Sequence, residues 1–221
     1  MGKLLKITGI IGTVIFILLI VAKLTGSIQY YLVPTGGNEP NIKVNSFVFA
    51  SNWIEPSKYK LILHERNDSV KEVWVQRLCG IEGDKIEIIS GFLHVNDSLV
   101  DDKLTLNHAY LVDGRHKSWL EKNLVKSQYD FTEIENNRFL VHINHKELNE
   151  KLYSKIYLFN TADEFISSVF NESWSQDNFG PVIVPKDKLF VIGDNRNQSY
   201  DSRYIGFINK SDLIGVVIGK Q

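Results

Sequence analysis

The chain of 221 residues holds a single cysteine, Cys79. One thiol forbids an intramolecular disulfide and excludes zinc sites of the multi-cysteine kind, so stability rests on an ordinary packed core. A surplus of charge of either sign is lacking too, since 25 Lys+Arg against 26 Asp+Glu leave a net charge of -1. With no global positive field to hold a phosphate backbone, nucleic acid is not expected as a partner. No internal repeat or low-complexity tract occurs, and 43% hydrophobic with 23% charged residues excludes a disordered chain or a coiled-coil rod. The six histidines show no metal-ligand spacing beyond His142-x-x-His145, and on a strand those two point to opposite faces. No metal and no cofactor are expected.

One long uncharged run is present. Ile7 to Ala22 (ITGIIGTVIFILLIVA) follows Lys3 and Lys6 and precedes Lys23. As a helix it covers about 24 Å against a bilayer core of about 30 Å, a gap that snorkelling lysines or extension through Leu24 can close. A cleaved secretory signal fits a short apolar run behind a basic start as well. Against it, Ala22-Lys23-Leu24 is a poor small-x-small cleavage signal and Thr25-Gly26-Ser27 a weak one, so residues 1–24 are read as one retained transmembrane helix. The lysines before the span place the short end in the cytoplasm and residues 25–221 outside the cell membrane.

Beyond residue 24, β-branched and aromatic runs recur between turn residues: Phe47 to Ala50, Tyr59 to His64, Val73 to Leu78, Lys85 to Ile89 and Phe92 to Val95. Further strands are expected at Arg138 to Ile143, Pro181 to Val184, Leu189 to Ile192 and Leu213 to Ile218, with Ser90-Gly91 as a two-residue hairpin turn. Helix is scarce. Lys117 to Lys126 and Ala162 to Phe170 can hold a turn or two, with Thr161 and Asp163 as candidate caps. Residues 104–178 are more polar and weakly periodic, so the expected fold is a mostly β body with a small inserted subdomain there.

Three stretches carry chemistry. The first is Gly193-Asp194-Asn195-Arg196-Asn197-Gln198-Ser199-Tyr200-Asp201-Ser202-Arg203-Tyr204-Ile205-Gly206, which concentrates acids and arginines behind an apolar strand. In a partly buried turn such charges lock a loop through carboxylate and guanidinium pairs. It closely resembles the G-D-N-R-x-x-S-x-D-S-R-x-x-G box of type I signal peptidases. The second, Val75 to Asp84, resembles that family's K-R-V-V-G-L-P-G-D strand and turn at Arg77, Gly80, Gly83 and Asp84. The third, Val33 to Ile42, resembles P-S-G-S-M-x-P-T at Pro34, Gly36 and Pro40, with Thr35 a conservative match. The order of the three, behind an apolar amino-terminal run, also follows the family.

The resemblance implies a serine nucleophile activated by a neutral lysine, cleaving signal peptides at the outer membrane surface. At the serine position stands Gly37 and at the lysine position Gln76, with Asn38 where the family has methionine. Glycine has no side chain and a glutamine amide is not basic, so neither role can be filled there. The supports match: Ser199 falls where a hydroxyl orients the lysine, and Arg77, Asp194, Arg196, Asp201 and Arg203 fall on ion-pair positions. Thr35 and the amide of Gly37 fall at the oxyanion hole.

The resemblance therefore implies an inactive homologue at the membrane, binding signal peptides or preproteins or assisting an active paralogue. The alternative is an active signal peptidase with a non-standard nucleophile, for which Thr35 with Lys43 or Lys85 is the candidate. Cys79, in an apolar strand without a histidine nearby in sequence, reads as a core thiol. An unrelated anchored β-module would leave Arg77 and Asp194 far apart. Trp53 suits a bilayer interface and a packed core equally well.

Overall fold

The structure, a computed structural model, describes residues 2–66, 72–123, 131–134, 137–144 and 154–220. It opens with helix α1 (Gly2–Leu24), followed by strands β1 (Gln29–Val33), β2 (Ser46–Ser51), β3 (Leu61–Arg66) and β4 (Glu72–Ile81). Then come β5 (Lys85–Ile89), β6 (Phe92–Val95), β7 (Ser98–Leu99), β8 (Asn107–Asp113), α2 (Lys117–Asn123), β9 (Phe131–Glu133), β10 (Arg138–Asn144) and β11 (Ser154–Ile156). The chain ends with α3 (Glu164–Phe170), β12 (Phe179–Ile183), β13 (Lys188–Ile192), α4 (Ser202–Ile205), β14 (Ile208–Asn209) and β15 (Leu213–Lys220).

The strands form a seven-stranded sheet, β1-β2-β15-β3-β4-β13-β14, and two four-stranded sheets, β12-β5-β6-β7 and β11-β8-β10-β9. The run Leu189-Phe190-Val191-Ile192 is buried at every position because β13 has a core on each face. Leu189 and Val191 pack with Ile62, Leu78, Ile208 and Val216. Phe190 and Ile192, one step out of phase, pack with Cys79, Ile86, Leu93 and Phe179 between the large sheet and the β5–β7 hairpins. Ser90 and Gly91 join β5 to β6 with φ of 51° and 85°, the left-handed pair that a two-residue hairpin demands. Asp163 caps α3, its Oδ1 accepting from the N–H groups of Phe165 and Ile166.

Each of the nine strand runs named from periodicity overlaps an observed strand, but Tyr59 and Lys60 precede β3, Val184 follows β12, and several strands extend beyond their runs. The run expected over Lys117 to Lys126 is helical to Asn123 and its remainder lies outside the described residues, as does His145. The membrane-spanning helix is not supported. Residues 2–24 are helical, yet among the described residues no helix is long and apolar enough to cross a membrane. Its uncharged stretch is short for the task, about 24 Å against a hydrocarbon core of about 30 Å. Its described large apolar side chains are exposed, from Ile7 and Ile10 through Phe16 and Leu18 to Leu24.

Candidate functional site

A cleft of about 590 Å³ lies between β1, the turn over residues 34–38, the first half of β4 and residues 198–200. Its existence follows from where β13 stops. β13 pairs with β4 only from Leu189↔Ile81 to Ile192↔Arg77, and at Gly193 the chain turns away. A Cβ on Gly193 would stand 2.1 Å from Ser199 Oγ and 2.4 Å from the Gly37 carbonyl oxygen, so the turn needs glycine. Among the described residues, 72–76 of β4 pair with β3 alone, and their other edge opens on the cleft. β1, at the far end of the sheet, pairs among the described strands with β2 alone and lines the opposite wall through Tyr31, Leu32 and Val33.

Thr35, Gly37, Gln76 and Ser199, drawn from three separated stretches, all line this cleft. At Gly37 a Cβ would meet the Gln198 carbonyl oxygen and Ser199 Oγ at 3.7 Å each, an ordinary van der Waals distance, so the backbone still has room for a side chain. The turn is held from beneath: the Asn195 N–H donates to Gly37 O at 3.0 Å and Asn195 Nδ2 to Gly36 O at 3.1 Å.

Gln76 is buried and fully engaged. Its Nε2 donates to Tyr200 O at 2.8 Å, which leaves Oε1 to accept from His64 Nε2 at 2.9 Å. That orientation fixes the proton of His64 on Nε2, facing an amide that cannot pass it on. Burial lowers the His64 pKa below the ordinary imidazole value, outweighing the Gln76 and Glu65 carbonyl contacts that act in the other direction. His64 therefore serves as a neutral donor. Sequence patterning gave no warning of it, because β3 brings it beside Gln76 only through the sheet register. Trp74 and Tyr200 extend the same face, with ring centroids 6.2 Å apart and the Arg66 guanidinium 4.5 Å above Trp74.

The arginines and acids form three buried locks. Arg77 grips both oxygens of Asp194 at 2.5 Å, so these residues are together and the unrelated-module reading fails. Asn41 Nδ2 adds a third bond to Asp194 at 2.8 Å. Arg203 binds both oxygens of Asp201, Nε to Oδ1 and Nη2 to Oδ2 at 2.8 Å each, and Oδ2 also accepts from the Gly193 N–H at 3.0 Å. Arg196 reaches outside the box to Asp101, at 2.8 and 2.7 Å. Asp101 lacked any sequence signal, as its partner lies 95 residues away. Bidentate geometry with backbone donors is the condition under which buried ions recover their desolvation cost.

The candidates for a substitute dyad separate. Thr35 faces the cleft, but Lys43 and Lys85 do not line it, and the Lys85 ammonium pairs with Asp97. Among the described residues lining the cleft there is no lysine, arginine or histidine, and Glu72 is the single carboxylate. Cys79 is wholly buried and burial pushes its thiol up to about 12, an unreactive core position.

The site is a cleft at which a β strand paired on one side along its first half, a glycine-rich turn and an arginine-locked loop converge. The sequence profile described as "Signal peptidase, peptidase S26" matches residues 6–219, and the chain belongs to that family. It is 30% identical over 163 residues to a signal peptidase I of Buchnera aphidicola subsp. Baizongia pistaciae, covering 70% of this chain and 51% of that protein. To a signal peptidase I of Buchnera aphidicola subsp. Acyrthosiphon pisum it is 24% identical over 215 residues, 85% of this chain and 66% of that one. The chain thus spans between about half and two thirds of the length of these relatives. A crystal structure of a signal peptidase I from Enterococcus faecalis V583 aligns over 74% of this chain and 97% of that chain, at 19% identity and a TM-score of 0.36.

Proposed function

We propose that this chain is a signal-peptide-binding member of its family that has lost peptide-bond hydrolysis. The observation that carries the reading is a formed cleft with no amine or imidazole among its described lining residues, at a turn where the attacking hydroxyl is replaced by Gly37. Thr35 and the Gly37 amide are taken as the remaining oxyanion donors, and Ser199 as the hydroxyl that would have oriented a lysine at position 76. Donors alone stabilise charge without generating a nucleophile; losing nucleophile or base costs about 10⁶ in rate, with roughly 10³ to 10⁴ over water retained. An extended peptide enters between the free edges of β1 and β4 and adds a strand, main-chain bonds giving affinity and the apolar walls reading small side chains.

The exposed apolar side chains of α1 are read as lipid-contacting, holding residues 25–221 at the outer membrane surface where preproteins emerge. An active paralogue is the natural recipient of a peptide bound but not cut. Incubation of the purified chain with a signal-peptide substrate tests the reading, with binding and no turnover as the expected result. The second reading, an active peptidase, is favoured by Thr35 lining the cleft. Cleavage that disappears in Thr35→Ala would establish it.

A further inference from the structure

The residue after Gly37 occupies the edge that a peptide would need. In β4, the Leu78 N–H donates to Lys60 O, so Leu78 turns its main-chain groups toward β3. Alternation along an antiparallel strand gives Gln76 and Trp74 the same direction and turns those of Val75 and Val73 to the open edge. β13 does not reach past Arg77, and among the described residues no strand covers that edge. The Val75 carbonyl is nevertheless filled, because Asn38 Nδ2 donates to it at 2.5 Å. A carbonyl accepts only from the nitrogen, which fixes the orientation of the carboxamide and leaves Oδ1 as the other end. That oxygen is buried without a hydrogen-bond partner, in a residue only 4% exposed. The bond made by Nδ2 is offset by the bond that Oδ1 forgoes, so the contact is weakly held.

We infer that Asn38 is a displaceable plug on the β4 edge: it competes with the incoming peptide for Val75 O and sets how far along the strand that peptide pairs. The inference rests on the peptide-binding reading. With Asn38 in place, the peptide ladder uses Val73 and the N–H of Val75 and stops short of Gly37. With Asn38 swung out, a peptide N–H takes the Val75 carbonyl and the ladder continues to the turn. Asn38 is thereby a specificity-determining residue, and a peptide whose matching nitrogen carries no hydrogen, as at proline, cannot displace it.

The test compares affinity for a fluorescent signal-peptide probe in the full chain and in two variants that remove the donor, Asn38→Ala and the volume-keeping Asn38→Met. Both should bind roughly 3- to 10-fold more tightly, the range set by the net worth of one hydrogen bond. N-methylation of the facing peptide nitrogen should abolish that gain. In the unaltered chain, the side-chain amide resonances of Asn38 should shift as probe saturates, which requires no variant to fold. Equal or weaker binding by both variants, or unmoved Asn38 resonances at saturation, overturns the plug and leaves the peptide cleft standing. Failure of all three proteins to bind the probe removes the cleft reading and the plug together.

Discussion

At position 37 the loss of a hydroxyl is chemically complete and structurally small. The space for a Cβ remains, with Ser199 Oγ and Gln198 O at 3.7 Å. Gly37→Ser is therefore expected to change stability by less than about 1 kcal/mol in urea unfolding, the range of a substitution without clash or cavity. Gln76→Lys is a different case: it surrenders the acceptor for His64 and the donor to Tyr200 O in a buried setting, and should cost about 1–3 kcal/mol. Neither change alone supplies both nucleophile and base. The double variant should show signal-peptide cleavage in an assay where both singles are silent, and silence of the double would mean that more than the dyad has changed. Gly193→Ala probes the turn itself; a methyl 2.1 Å from Ser199 Oγ and 2.4 Å from Gly37 O must push the two walls apart. About 3 kcal/mol of destabilisation is expected by thermal or urea melting, the upper range for overpacking. What the sequence disclosed at this scale were residues with a fixed motif position. His64, Asp101 and the bond from Asn38 to Val75 were hidden, because each depends on a neighbour distant along the chain and on no local spacing.

At the scale of elements, strands were legible wherever burial imposes a period or an unbroken apolar run. β2, β5, β6, β13 and β15 announce themselves in this way, while β1 (Gln29–Val33) and β8 (Asn107–Asp113) do not. β1 is a sheet edge with Tyr30 and Leu32 exposed, so alternation yields no polar outer face to recognise. β8 earns its place through pairing on both sides, with β10 and β11, and through Asn107, whose N–H and carbonyl bond Asp194 O and Arg196 N. Such cross-element bonds are what the arginine box holds in register, and Asp101→Ala, which strands the Arg196 guanidinium, should cost about 3–5 kcal/mol. The β3–β4 pair carries a pH signature as well. His64 is neutral when folded because its pKa is lowered by burial, and the unfolded chain takes up the proton first as pH falls below about 6.5. Stability from this group is full above that value and declines as pH drops toward the folded pKa. Urea midpoints followed from about pH 7 to 5 should fall, and the slope should flatten in His64→Gln if this imidazole is its source.

Across the whole molecule, the apolar surface is distributed in a way that no charge balance or composition could reveal. Leu24 is 81% exposed at the end of α1, and Ile28, Tyr30, Leu32 and Phe47 continue exposed apolar surface onto β1 and β2. Tyr30 and Phe47 lie against each other with ring centroids 6.4 Å apart. Trp53, for which core and interface were equally open, is 79% exposed and so does not pack inside. On the proposed lipid-contacting reading of α1, each isoleucine or leucine taken from water into an apolar phase would gain about 1.5–3 kcal/mol, and a handful would be enough to retain the chain at a lipid surface. The β body has its own cores on both faces of β13, independent of α1. Removal of residues 1–24 should accordingly leave the urea midpoint of the body unchanged while shifting the protein from the floating to the soluble fraction in liposome flotation. A truncated chain that still floats would transfer the role to the exposed rings of Tyr30, Phe47 and Trp53; Trp53→Ser in that background should then release it, since indole at an interface contributes through the same apolar transfer that α1 no longer supplies.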